Sequence, residues 1–193
     1  MAAEQRRSKA MIKKEIIDFL NSTSGQIDPK LDTYSCGIIH RNCLVLATSA
    51  KDIPRATVLE FFNEGLTLYI FGEPGGKIAN IKRNSHVSAV VYEQPLDHSR
   101  LQKSLQIFGK AELISVRNNA KLFRSKIKKW NMETVMKRIM FSMIREKNLS
   151  DEDAETFFKK GVESLNVIKL SPHHIILKEY HTDLSMKKYE WKK

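Results

Sequence analysis

The chain has 193 residues, 41% of them hydrophobic, which suits one domain with a substantial core. Its 33 lysines and arginines outnumber 22 aspartates and glutamates, and the net charge of +11 favours anionic partners such as nucleotides and phosphate esters. No apolar run approaches the roughly 20 residues of a membrane-spanning helix, the two cysteines (Cys36 and Cys43) are too few for a disulfide scaffold, and the first residues lack the apolar stretch of a secretory signal, so a cytoplasmic location is expected.

Residues 4–20 predict an amphipathic helix, with Ile12, Ile16, Phe19 and Leu20 on one face, stopped by Asn21-Ser22-Thr23-Ser24-Gly25. A short extended piece is expected near Gly37-Ile38-Ile39. Strands then follow at Leu44 to Thr48, at Arg55 to Phe62 and at Leu66 to Phe71, the last two flanking a hairpin loop at Asn63-Glu64-Gly65. Gly76 to Arg83 reads as a short helix, Val87 to Tyr92 as a strand, and Ser104 to Ile114 as a long strand with a bend or bulge at Gly109. From Arg117 to Asn166 the period becomes helical. Met132, Val135, Met136, Ile139, Met140, Met143 and Ile144 form a stripe read as a packed face, and Ser150 to Asp153 resembles a capping box. Strands return at Val167–Leu170 and Ile175–Tyr180, interrupted by Ser171-Pro172, and the lysines after them read as a tail.

Antiparallel hairpins without a βαβ rhythm point to a mainly antiparallel α+β protein, a small six-stranded, partly closed barrel. The whole chain, 1–193, is expected to be one domain: an N-terminal helix at about 4–20, a barrel at about 35–115 and 166–182, and a helical insertion at about 117–165 outside it. Two features could hold a phosphorylated cofactor, namely Arg55 on the second strand and Gly75-Gly76-Lys77 where a helix begins. A helix start offers unpaired N–H groups and a positive dipole end. Glycines let that backbone approach an anion, and a lysine adds a full charge.

These elements together resemble the flavin-binding split barrels related to pyridoxamine 5′-phosphate oxidase. The resemblance rests on Ala47-Thr48, Pro54-Arg55, Gly65, Tyr69-Ile70-Phe71, Gly75-Gly76-Lys77, Arg83-Asn84, Val87-Ser88 and the later Ile107 to Glu112 strand. It implies a homodimer with one flavin mononucleotide (FMN) at each interface site. Arg55, Ala56, Thr57 and Val58 would run along the flavin ring and phosphate. Phe71, Gly72, Gly75, Gly76 and Lys77 would line the phosphate end, with Asn80 one helical turn on and Gln106 reaching in from the partner subunit. The oxidase of vitamin B6 carries a lysine where Glu60 stands here, and an arginine-rich C-terminal motif that this chain lacks. The resemblance therefore implies an FMN-dependent oxidoreductase acting on another small molecule, with an electron donor and catalytic residues that the sequence does not name.

The other readings are a non-catalytic flavin or haem carrier on the same fold, and a basic nucleic-acid-binding protein. The second is disfavoured because the basic clusters carry few aromatics beyond Phe123 and Trp130. His173, His174 and His181 fit no metal-ligand spacing, and no metal is expected. Trp130 and Trp191 are expected at the edge of the core rather than on a flavin ring.

Overall fold

A computed structural model describes residues 7–27, 38–39, 43–93 and 99–193. Cys36, His40 and His98 lie outside these residues, as does the start of the N-terminal helix expected at 4–6. The described helix α1 spans Lys9–Thr23. Ser8 caps it, its Oγ accepting from the Met11 N–H at 3.2 Å. The polar run expected to stop the helix instead forms its last turn. Ser22 and Thr23 hydroxyls donate to the Phe19 carbonyl, each at 2.8 Å, before the backbone turns extended at Ser24. The buried face is the expected one, Ile12, Ile16, Phe19 and Leu20.

A two-stranded pair joins β1 (Gln26–Ile27) to β2 (Ile38–Ile39). The main sheet contains β3 (Leu44–Ala50), β4 (Ile53–Leu59), β5 (Phe62–Glu64), β6 (Thr67–Gly72), β7 (His86–Tyr92), β8 (Gln102–Ile114), β9 (Asn166–Tyr180) and β10 (Met186–Lys192). Every pairing is antiparallel, in the order β4-β3-β7-β8-β9-β6-β5, with β10 beside the second half of β9. This is the α+β split-barrel architecture, with eight strands in the main sheet among the described residues where six were expected. Two differences add strands. The stretch expected as one strand from Arg55 to Phe62 breaks at Glu60-Phe61, because Phe61 turns wholly into the core, and it resumes as β5, which takes Asn63 and Glu64 out of the loop. The basic C-terminus is a strand, not a tail: Tyr189 and Trp191 alternate inward between the solvated Lys188, Glu190 and Lys192, and Trp191 is buried.

Ser171-Pro172 does not split β9. Phe108 pairs with His174 and Gly109 with Pro172, so His173 is the extra residue of a bulge. Gly109 is required there, since a Cβ would stand 2.6 Å from the Ser171 carbonyl oxygen. Inward positions of the sheet form one core with α1: Leu44, Leu46, Val91, Leu105, Ile107, Ile168, Leu170 and Leu177 are wholly buried. Burying each side chain of this kind stabilises the fold by about 1.5–3 kcal/mol.

The insertion is three helices, α3 (Val116–Lys129), α4 (Met132–Glu146) and α5 (Asp151–Ser164). They build a second core against the β5–β6 edge, where Trp130 stacks on Phe62 at 5.0 Å between ring centres. Met132, Val135, Met136 and Met140 are buried, whereas Ile139 and Met143 face outward, so the expected stripe was too wide. Ser150 caps α5 as expected, accepting from the Asp153 N–H at 3.2 Å. A buried ammonium pins the insertion down: Lys126 Nζ donates to both Glu64 carboxylate oxygens at 2.6 Å, and Lys129 adds a third bond at 2.5 Å. Burial alone would raise the Glu64 pKa, but bonds from Lys126, Lys129 and Tyr69 outweigh it and hold the carboxyl at about 2.

Candidate functional site: a glycine turn between two cations

Helix α2 (Gly76–Arg83) begins at Gly75 and lies across the end of the β3–β4 hairpin. That hairpin turns on Lys51 and Asp52, both with positive φ, as a two-residue connection that matches strand twist requires. The tight turn sets the register Thr48↔Arg55 and Leu46↔Thr57. Arg55 and Thr57 therefore point to the face occupied by Thr48 and Leu46, towards α2. Ala56 and Val58 point to the opposite face. Thr48 is buried and accepts a hydrogen bond from Asn80 Nδ2 at 3.2 Å, which ties α2 to the hairpin. Lys82 and Arg83 occupy the last turn of α2, where its dipole favours cations.

The glycines of the turn differ in what they permit. A Cβ on Gly76 would lie 2.7 Å from both Cζ and Nε of Arg55, so the guanidinium rests directly on Gly76. A Cβ on Gly72 would lie 2.9 Å from Lys77 Cε and 3.7 Å from its Nζ, so the lysine folds back over the end of β6. Gly75 has open space around it and an extended φ of 165° that any residue adopts. Neither Arg55 nor Lys77 forms an ion pair or hydrogen bond among the described residues. Two unpaired cations, one from the strand and one from the helix, thus flank a single turn whose helix-start N–H groups lack intrahelical acceptors.

Seven of the eleven expected site residues come together here: Arg55, Thr57, Gly72, Gly75, Gly76, Lys77 and Asn80. Phe71 belongs to β6, but its ring meets Phe62 edge-on at 5.7 Å and Trp130 at 6.0 Å under the insertion, which leaves its main chain to the turn. Ala56, Val58 and Gln106 are on the outer face of the sheet. Val58, Val45, Val90 and Gln106 form one row across β4, β3, β7 and β8. Thr48 is the site residue that sequence reasoning did not single out for a role. The two-residue loop after Ala50 was the available signal, because it places Thr48 directly opposite Arg55.

Glu60, which stands where the B6 oxidase has lysine, is exposed. Cys43 is a free thiol whose pKa is raised by burial and then by the charge of Glu60, which makes it a poor nucleophile. Among the described residues, no group of three or more His, Cys, Asp or Glu could hold a metal ion. No helix among them is long and apolar enough to cross a membrane.

The chain is similar to several known proteins. PhzG from Burkholderia lata 383, solved in complex with tetrahydrophenazine-1-carboxylic acid, shares the fold with a TM-score of 0.56 at 10% identity, over 98% of this chain and 89% of that one. A Listeria innocua protein named for pyridoxamine 5′-phosphate oxidase is 20% identical over 85% of this chain and 95% of its own, with a TM-score of 0.48. General stress protein 26 from Bacillus anthracis is 18% identical over 77% and 90%, with a TM-score of 0.44. No curated protein sequence matches the chain. The family model described as pyridoxamine 5′-phosphate oxidase matches residues 32–177, from β2 through most of β9 with the whole insertion, and the chain is thereby a member of the pyridoxamine 5′-phosphate oxidase family.

Proposed function

We propose that the chain is an FMN-dependent oxidoreductase that acts on a small molecule as a homodimer. The observation that carries this reading is the placing of the Arg55 guanidinium on Gly76 and the Lys77 side chain over Gly72, around one helix start, with no carboxylate paired to either. That donor set fits a phosphate dianion: two cations and free main-chain N–H groups make several charge-assisted hydrogen bonds. Asn80, anchored on Thr48, holds the helix start against the hairpin, and the bare Gly76 leaves room for the guanidinium. A bound flavin would supply two-electron transfer between a reductant and the substrate, while the protein supplies binding and orientation.

The dimer is supported by the outer sheet face and the β4 edge. Val58 is 66% exposed and Ile53 70%, and Val58 continues in a row through Val45 and Val90 to Gln106. An apolar strip of this kind on a sheet edge invites pairing with a second copy.

The test is the absorbance spectrum of the purified protein. Flavin bands, FMN as the released molecule, and at least tenfold weaker FMN retention in Arg55→Ala and Lys77→Ala are expected. Colourless protein that takes up no added FMN would overturn the reading. Anaerobic reduction by NADH or NADPH, followed by reoxidation, separates an enzyme from a carrier, and light scattering of Val58→Glu, expected to be monomeric, tests the dimer.

A further inference from the structure

The helical insertion has a feature that the flavin reading leaves unused. Its three helices enclose a cleft of about 840 Å³, within the roughly 300–1,000 Å³ typical of small-molecule sites. The walls are Phe123 and Ile127 of α3, Phe141 and Ile144 of α4, and Phe158 and Val162 of α5. Ala154, Phe158 and Val162 recur every four residues, so one whole face of α5 looks into the cleft. Although α5 is amphipathic, none of its residues is buried. Its apolar face is turned inward yet remains incompletely covered, unlike that of α1. The helix nonetheless crosses α4 closely: a Cβ on Gly161 would stand 2.6 Å from the Met140 methyl, so the cleft is not the result of helices standing apart.

The rim carries three cations, Arg124, Lys137 and Lys159, and three acids, Glu133, Glu155 and Glu163. None of the six forms an ion pair among the described residues, and Lys137 instead lies over the Phe158 ring at 5.3 Å. On a chain of net charge +11, this rim is balanced. Balanced charge gives no net attraction for an anion, and the apolar walls reward burial of hydrocarbon.

We infer that the cleft between α3, α4 and α5 is a binding site for an aromatic or aliphatic small molecule of no net charge. The cleft is separate from the glycine turn, none of whose residues lines it. The test uses the full chain, with and without added FMN, titrated with the neutral fluorophore N-phenyl-1-naphthylamine. Saturable binding at one site per chain is expected in both forms. Ala154→Phe, which fills the cleft, should weaken binding at least tenfold. Phe141→Ala, which truncates an exposed side chain and leaves the core intact, should weaken it about fivefold. Leu184→Ala, on a distant exposed turn, should leave binding unchanged. The anionic 8-anilinonaphthalene-1-sulfonate should displace the neutral dye at least tenfold less effectively. Unsaturable binding, or titrations unchanged in both Ala154→Phe and Phe141→Ala, would overturn the site. Tighter displacement by the sulfonate would overturn the ligand class.

Discussion

Cations occupy two kinds of place in this molecule. Arg7, Lys103, Lys126 and Lys129 are matched to carboxylates. Arg7 and Lys103 share Glu15 and the buried Glu179, while Lys126 and Lys129 share Glu64. Each matched set bridges elements far apart in sequence, tying α1 to β8 and β9, or the insertion to β5. Arg55 and Lys77 are near neighbours of a glycine turn and have no carboxylate. The difference separates charges neutralised by a carboxylate of the chain from charges that no carboxylate of the described residues neutralises. Net charge cannot make that distinction, because all six residues contribute to it equally.

The comparison can be broken by removing charge on either side. Glu179 is 1% exposed, and burial alone would raise its pKa, but bonds from Arg7 and Lys103 lower it. Glu179→Ala should cost about 2–3 kcal/mol in urea unfolding, less than a fully buried pair because Arg7 and Lys103 are partly solvated and keep Glu15. FMN affinity measured on the folded variant should not change. Arg55→Ala should do the reverse, leaving the urea midpoint in place while FMN binding falls about ten- to hundredfold, the worth of lost charge-assisted hydrogen bonds. A large stability loss in Arg55→Ala would mean that the residue is structural after all.

Smaller effects sharpen the contrast. Gly76→Ala must displace the Arg55 guanidinium, a flexible group, so about tenfold weaker FMN binding is expected with little loss of stability. Gly75→Ala meets open space and should cost less than Gly76→Ala in the same titration. The Glu64 pKa is depressed, so its contribution to stability is fully present above the ordinary carboxyl range near 4.5 and is lost as pH falls towards about 2. Glu64→Gln should flatten the pH dependence of unfolding in that window, and an unchanged slope would show that the Lys126 pairing stabilises nothing.

Local patterns were legible wherever neighbouring residues determine them. The inward face of α1, the cap at Ser150 and the bulge at Gly109 follow from helical period, side-chain capping and the lack of a Cβ. Ser171-Pro172 misled because Pro172 sits at the bulge, where a missing N–H breaks no regular ladder bond. The C-terminal strand was hidden because its inward Tyr189 and Trp191 alternate with charged residues, a pattern that reads as a charged tail until β9 lies beside it. The site was half legible for a similar reason. The glycine turn is contiguous in sequence, whereas Thr48 acquires its role through register with Arg55 and its bond to Asn80.

By itself, the sequence determined the antiparallel strand and helix pattern, the glycine-lysine helix start and the excess of positive charge, because each depends on residue type and short spacing. Tertiary structure decided which cations are paired, that β4 sends Arg55 towards α2 and Val58 to the opposite face, and that the insertion leaves a cleft between its helices. Those outcomes depend on which distant segments meet. Strand register and the packing of side chains in three dimensions settle that, and no local spacing encodes it.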